Sequence, residues 1–392
     1  MTQRAIVLCP NLSGNSLGRA LALAELLADR YEVRVMGHMG RGGLWAPARH
    51  SHIPIQALRG RNLPGLLWNW RRNLADMDCD VLIASKPLPA TLLYASYFLH
   101  RRPHTSVLLD VDDDELGLMR RRPFFKRHLQ GVLRIFSLRG YYHALWAQQL
   151  ARGFRRVLCA STRLQRQHGG IIIYHARRDS MISGGTLEPR LAERLQALQR
   201  RKTVLFLGTP RGHKGIEVLA RAVAKIDDPQ VQLAVVGCKC EAEAQAQLGR
   251  WLPPERLQCI QTVPLDTVSA WLKAATVVVI PQQREEVAEA QTPAKLFDAM
   301  CCGVPLVSTQ VGDIPLIVGD AALLVEQPDD AGQLAAAIQR LLDDPQLRTE
   351  MGHMLATRFA RLHSFEAAQQ RLFALCQPEP QVLGGQLEMR GT

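Results

Sequence analysis

Long hydrophobic runs are missing from this sequence. No apolar stretch reaches the roughly 18 residues that a membrane-spanning helix needs, and the longest candidate, Val81 to Leu99, is interrupted by Lys86, Pro87 and Pro89. A spanning segment is therefore not expected. The opening Met1 to Pro10 carries one basic residue, Arg4, ahead of an apolar stretch too short for a signal sequence, so it reads as the first strand of a cytoplasmic protein. A disulfide framework is missing too: the nine cysteines are odd in number and spread from Cys9 to Cys376, which suits thiols in a reducing compartment. Only Cys238/Cys240 and Cys301/Cys302 lie close together, and neither pair has the spacer or the histidines of a zinc site. The first loop, Pro10 to Gly18, lacks the G-x-G-x-x-G fingerprint, and Met36 and Gly37 stand where an acidic residue would hold a ribose. A dinucleotide cofactor is disfavoured on that ground. No repeat of solenoid period is visible.

Acidic residues are absent from one long stretch. Between Leu118 and Arg156 there are ten Lys or Arg and no Asp or Glu, leaving 38 basic against 36 acidic residues in the rest of the chain. Nearly all of the net charge of +12 thus sits in a tenth of the sequence. The same stretch carries Phe124, Phe125, Leu129, Val132, Leu133 and Phe136 at helical spacing, then Tyr141, Tyr142, Leu145 and Trp146 beyond Gly140. A basic amphipathic helix with aromatic residues suits an anionic membrane surface, so 118–156 is expected to attach the protein peripherally to the inner face of the cytoplasmic membrane. Two other uses fit the same pattern: a core-facing helix with a solvated basic face, and nucleic-acid binding, which is not the partner expected here.

What is present is the composition of a folded enzyme, with 47% hydrophobic and 21% charged residues, and a length that allows two to three domains. Short β-rich runs alternate with helical patterns, the signature of parallel sheets built from βαβ units. The first half is expected to hold strands at Arg4–Cys9, Glu32–Met36, Asp80–Ala84, Ser106–Val111, Arg156–Ala160 and Ile171–Tyr174, with a first helix over Leu17–Asp29. The second half is expected to hold Thr203–Leu207, Gln232–Val236, Gln258–Gln261, Thr276–Ile280, Pro305–Ser308 and Ala322–Val325. Two Rossmann-like, doubly wound α/β domains follow, joined by the polar helix or linker Pro189–Lys202 and trailed by a loose tail, 378–392. Two such domains facing a central cleft place their ligand outside the carboxyl ends of both sheets, so chemistry is sought in the loops after strands.

Three loops qualify. Gly208-Thr-Pro-Arg-Gly-His-Lys-Gly215 follows a strand and opens a helix, and free N–H groups there, with Arg211, His213 and Lys214, suit a diphosphate. A simple Gly/Pro turn is the alternative. In the second loop Thr292 is expected as helix N-cap, Pro293 at the first helical position, then Ala294 and Lys295, with Gly303 closing the helix. Lys295 and Asp298 share a helix face, one suited to a phosphate and the other to a ribose hydroxyl; a solvated ion pair is the alternative. The third loop brings Gly14 and Asn15 from the first domain, and only this loop is expected to reach the cleft from that side.

Lys295 to Val307, read with Val311-Gly-Asp313 and Gln327-Pro-Asp-Asp330, resembles the signature of family 4 glycosyltransferases with the GT-B fold. Phe206 to Gly215 is similar to that family's phosphate loop, with Lys214 at its lysine. Leu109 to Glu115 and the run from Gly169 to Asp179 resemble bacterial members. Departures are plain: the family's paired glutamates fall on Ala290 and Asp298, its arginine falls on Thr209 so that Arg211 substitutes, and its first-domain histidine falls on Asp112. The resemblance implies an acceptor-side domain over 1–185, a nucleotide-sugar domain over 200–358, and a helix in 359–377 that returns to the first domain. It further implies transfer of a sugar from a UDP- or GDP-linked donor to a saccharide or lipid-linked acceptor with retention, in glycan or polysaccharide biosynthesis, without a cofactor or metal. Asp112 and Asp298 would serve catalysis; Gly14, Asn15, Arg211, Lys214, Thr292, Pro293, Ala294 and Lys295 would hold the donor. A metal held by Asp110, Asp112, Asp113, Asp114 and Glu115 is the alternative use of that acidic run. Other readings of the whole are a sugar-nucleotide epimerase on the same fold and a non-catalytic lipid- or nucleic-acid-binding protein with a degenerate pocket.

Overall fold

The computed structural model describes residues 2–49, 51–120, 123–176, 178 and 183–377. Arg121, Arg122, Arg177, Asp179 and the tail 378–392, all invoked above, lie outside the described residues. Two parallel sheets carry the chain. The first is built from β1 (Arg4–Cys9), β2 (Glu32–His38), β3 (Ile55–Leu58), β4 (Val81–Ser85), β5 (Ser106–Val111), β6 (Val157–Cys159) and β7 (Ile171–Ile172), in the order β3-β2-β1-β4-β5-β6-β7. The second is built from β8 (Lys202–Leu207), β9 (Val231–Cys238), β10 (Leu257–Gln261), β11 (Val277–Ile280), β12 (Leu306–Thr309) and β13 (Leu323–Val325), in the order β10-β9-β8-β11-β12-β13.

Both sheets are buried on two faces, so their central strands read as continuous Val/Ile/Leu runs rather than alternating ones. Strand β4 is buried throughout, as is β11. Strand β3 was not expected: Ile-Gln-Ala-Leu is only four residues long, carries a polar Gln56 and lies at the sheet edge, where no burial enforces an apolar run. Its presence makes Ser106–Val111 the fifth strand instead of the fourth.

Strand order reverses between β1 and β4 in one sheet and between β8 and β11 in the other. These switch points open a crevice at the carboxyl ends of the strands, and they bring together the loops 10–15, 86–88, 208–215 and 281–285. Pro189–Gln199 is a helix whose Leu191 and Leu198 pack into the second core. The chain returns through a π-helical turn, Phe359–His363, to the helix Phe365–Cys376, whose Phe365, Ala368, Leu372 and Cys376 pack into the first core.

Candidate active site

Strand β8 ends in Gly208, whose φ of +116° only glycine adopts without strain. The chain then makes a tight turn, Gly212–Lys214, and Gly215 at φ +68° starts the helix Ile216–Ala224. A Cβ on Gly215 would lie 1.8 Å from the Pro281 carbonyl, so only glycine lets this turn press against the segment after β11. The Gln283 N–H donates to the His213 carbonyl at 2.9 Å and locks the two loops together.

Two lysines meet here, Lys214 from the turn itself and Lys295 from the helix Ala294–Cys301. The Lys295 ammonium is shielded from solvent, lies 3.9 Å from the centre of the Phe206 ring, and has no hydrogen-bond acceptor among the described residues. Burial, and then the neighbouring Lys214, hold its pKa well below the usual lysine range. Burial and Arg211 bring Lys214 down to about 8. The expected alternative of a solvated Lys295–Asp298 pair is thereby excluded, because the lysine turns inward onto an aromatic face while Asp298 is itself buried on the helix Ala294–Cys301.

Thr292 is not the N-cap of that helix. Pro293 occupies the cap position with no side-chain hydrogen bond, and the Thr292 hydroxyl donates across the cleft to the Ala160 carbonyl at 2.6 Å. It belongs to a clasp between the domains. Ser161 Oγ donates to the Ala290 carbonyl at 2.8 Å, Arg163 pairs with Glu286 at 2.7 Å, and Gln291 Nε2 donates to Asp113 Oδ1 at 2.6 Å. Asp313 accepts from the Thr162 N–H at 2.7 Å, from the Thr162 hydroxyl, and from Tyr174 at 3.1 Å. Ala290 is fully buried and packs into the first domain's core, so a glutamate there would have to desolvate its charge in an apolar cluster.

On the first domain, Lys86 follows β4 at φ +67°, the one non-glycine residue with positive φ among the described residues. Its ammonium gathers three carboxylates: Asp113, Asp112 at 3.0 Å and Glu115 at 3.4 Å. Burial works against that charge, but Asp112, Asp113 and Glu115 outweigh it and hold the pKa of Lys86 well above the usual value. One cation cannot neutralise three anions. Burial, only partly offset by Lys86, pushes Asp112 up to about 7. Asp110 is not part of a metal set; it is paired with Arg19. Lys86 was passed over in the sequence as an interruption of an apolar run; its signal was a lone lysine directly after a buried strand.

A cavity of about 690 Å³ lies between the domains, lined among others by Gly14, Asn15, Lys86, Asp113, Arg211 and Gln291. Glu115, Arg127, Arg134 and Tyr141 also face it, so the first loop is not the only first-domain segment at the cleft: the long connection between β5 and β6 lines it too. Lys214, Lys295, Asp112, Asp298, Thr292, Pro293 and Ala294 are not among its wall residues.

Two sheets wound this way around a cleft define the GT-B fold. Sucrose-phosphate synthase of Thermosynechococcus elongatus superimposes with a TM-score of 0.68 at 18% identity over 95% of this chain and 98% of that one. Anabaena HepE in complex with UDP and glucose gives 0.70 at 17% identity, over 95% and 98%. Residues 201–344, in the second domain, match the family Glycosyl transferases group 1. A D-inositol 3-phosphate glycosyltransferase of Corynebacterium jeikeium is 32% identical over 46% of this chain and 44% of its own length. An alpha-D-kanosaminyltransferase of Streptomyces kanamyceticus is 26% identical over 45% of each. The chain thus spans less than half the length of these curated relatives.

Proposed function

We propose that the protein transfers a sugar, with retention, from a UDP- or GDP-linked donor to a saccharide or lipid-linked acceptor in glycan biosynthesis at the cytoplasmic face of a membrane. The observation that carries this reading is the Lys214–Lys295 pair: two buried lysines, each depressed in pKa, with no hydrogen-bond acceptor for Lys295 among the described residues. A diphosphate supplies that anion, and its charge grows as the bond to the anomeric carbon breaks, where fixed cations act most strongly. Gly14, Asn15 and Arg211 close over the donor from the cavity wall, the backbone of Thr292 and Ala294 supplies N–H groups on either side of Pro293, which fixes the turn, and Asp298 holds the ribose. Asp112, whose carboxyl burial pushes up to about 7 and which pairs with Lys86, is the first-domain acid assigned to the acceptor side. The test is thermal stabilisation by UDP and GDP, followed by product analysis with donor alone and donor plus acceptor. A ligand at 100 times its Kd adds about 2.7 kcal/mol. Turnover of donor without acceptor to a changed sugar would favour an epimerase, and binding without any turnover a degenerate pocket.

Membrane attachment is part of the proposal. Phe124–Leu133 is a helix whose apolar residues face outward, with Phe124 69%, Phe125 79% and Leu133 74% exposed. The core-facing alternative for this helix is overturned by that exposure. No helix among the described residues is long and apolar enough to span a membrane, so attachment would be interfacial, with each Lys or Arg near an anionic surface adding about 1 kcal/mol. In co-sedimentation, Arg120→Glu/Lys126→Glu is expected to lose binding to phosphatidylglycerol vesicles by roughly tenfold or more. Equal binding of wild type to neutral and anionic vesicles would sink the idea.

A further inference from the structure

The helix Phe124–Leu133 has two unlike faces, and the second one looks into the cavity. Arg127, Gln130 and Gly131 line the cavity from this helix, followed by Arg134 at its end, with Arg61 also on the wall. The Arg127 guanidinium lies between two rings, 5.2 Å from the centre of Phe124 and 5.1 Å from that of Tyr141. Its Nε is shielded from solvent and has no hydrogen-bond acceptor among the described residues. Neither Arg61 nor Arg134 forms an ion pair with a described residue. The carboxylates on the same wall are already engaged, Glu115 by Arg139 at 3.0 Å and by Lys86, Asp113 by Lys86 and Gln291. The cavity wall therefore offers three guanidinium groups without a carboxylate partner among the described residues, one of which, that of Arg127, is set against two aromatic rings. Planar forks of N–H donors match a phosphate group well.

The outer face continues past the helix. Ile135 is 49% and Phe136 67% exposed, and the Leu63 N–H donates to the Phe136 carbonyl at 2.8 Å, which brings exposed Leu67 and Trp68 onto the same side of the domain. An apolar, aromatic surface thus borders the arginine-lined end of the cavity, in a stretch with ten basic and no acidic residues between Leu118 and Arg156. Its charge complements an anionic bilayer, and its aromatic side chains suit the headgroup boundary.

We propose that the acceptor is an amphiphile with a phosphate ester in its head: the phosphate is gripped by Arg127 and Arg134, with Arg61 also on the cavity wall, while the chain stays in the bilayer beneath Phe124, Phe125, Leu133 and Phe136. This rests on the reading of the cleft as a sugar-transfer site and names the class of acceptor that site takes. One helix then delivers the acceptor: its outer face seats the protein on the lipid and its inner face receives the head. On the same reading the donor diphosphate lies at the second-domain wall of the cavity, which Arg211 and His213 line.

Two measurements on the full chain test this. The first is calorimetric titration with hexyl phosphate, hexanol and inorganic phosphate, each with and without saturating UDP. Hexyl phosphate is expected to bind whether or not UDP is present, hexanol not to bind, and inorganic phosphate to bind more weakly. Arg127→Leu/Arg134→Leu should weaken hexyl phosphate about tenfold or more, as for loss of charge-assisted hydrogen bonds, with UDP affinity unchanged. Phe124→Ser/Phe125→Ser should leave hexyl phosphate affinity at the wild-type level. The second is co-sedimentation with phosphatidylcholine vesicles doped either with a long-chain alkyl phosphate or with the corresponding alcohol. Wild type should prefer the phosphate vesicles, the arginine variant should lose that preference, and the phenylalanine variant should lose binding to both. Displacement of hexyl phosphate by UDP would place the phosphate in the donor loop and overturn the proposal. So would inorganic phosphate binding as tightly as hexyl phosphate without any vesicle preference, since the ligand would then be a small soluble phosphate. Failure of UDP to bind the wild type would instead strike the sugar-transfer reading, while the hexyl phosphate arm still reports on the arginines.

Discussion

Replacing Lys214 by alanine is expected to lower kcat for sugar transfer by about a hundredfold to a thousandfold, as losing one preorganised donor to a developing anion does elsewhere, with a smaller loss in nucleoside diphosphate affinity. Lys295→Ala should act in the same direction, whereas Lys225→Ala, on the far end of the helix Ile216–Ala224, should leave both quantities unchanged. The two lysines also make a prediction about pH. Burial lowers Lys214 to about 8 and holds Lys295 well below 10.5. Below the folded-state value the folded and unfolded chains both carry the proton, and the cost of keeping it buried is at its full extent. Between about 8 and the ordinary 10.5 the folded chain releases its proton first, so stability rises with pH through that window. Bound diphosphate raises both pKa values and removes the rise. Melting curves across that window should therefore show Tm climbing for the ligand-free wild type and staying flatter for Lys214→Met/Lys295→Met. Coincident profiles for the two proteins, together with wild-type rates for both alanine variants, would mean that the diphosphate lies elsewhere.

The doubly wound sheets were legible because a strand buried on both faces is mostly apolar, and Arg4–Cys9 and Ser106–Val111, the latter in spite of its Asp110, have the bounds read from the sequence. Strand β3 was not legible, because an exposed edge accepts polar residues such as Gln56. The loops beside the donor were legible as strand–glycine–helix punctuation, but the direction of a side chain was not. Spacing puts Lys295 and Asp298 on one face, yet the lysine lies over Phe206, a residue far away in sequence. Thr292 has the right chemistry for an N-cap and spends its hydroxyl on the Ala160 carbonyl instead, a partner that only the docking of the two domains brings within reach. The same docking explains Ala290. A family glutamate is absent at the position that plugs into the first domain's core, and the neighbouring Gln291 reaches Asp113 on the cavity wall. Contacts of this kind join residues more than a hundred positions apart, and no local pattern announces them.

Arg19→Met is expected to cost about 3–5 kcal/mol of stability, the range for stranding one member of a buried ion pair. Arg19 and Asp110 are 2% and 0% exposed, with Nη2 2.7 Å and Nε 3.2 Å from Asp110 Oδ1. The same guanidinium donates to the Ile173 carbonyl at 2.9 Å and the Tyr174 carbonyl at 3.3 Å, and Ser85 Oγ donates to Asp110 Oδ2 at 3.3 Å. One side chain therefore ties the first helix to the ends of β4 and β5 and to the segment after β7. That helix begins directly after Gly14 and Asn15, so the tie holds the first loop over the cavity. Tyr174 in turn donates to Asp313 of the second domain, which extends the tie to the clasp. If the cost comes from an unpaired carboxylate, removing both charges should be cheaper than removing the cation alone. Urea unfolding should show Arg19→Met/Asp110→Leu less destabilised than Arg19→Met, a non-additivity characteristic of coupled neighbours. A loss below about 0.5 kcal/mol for Arg19→Met, the range of ordinary surface substitutions, would show that water or a rearranged neighbour satisfies Asp110. In that case the position of the first loop would have to depend on packing alone.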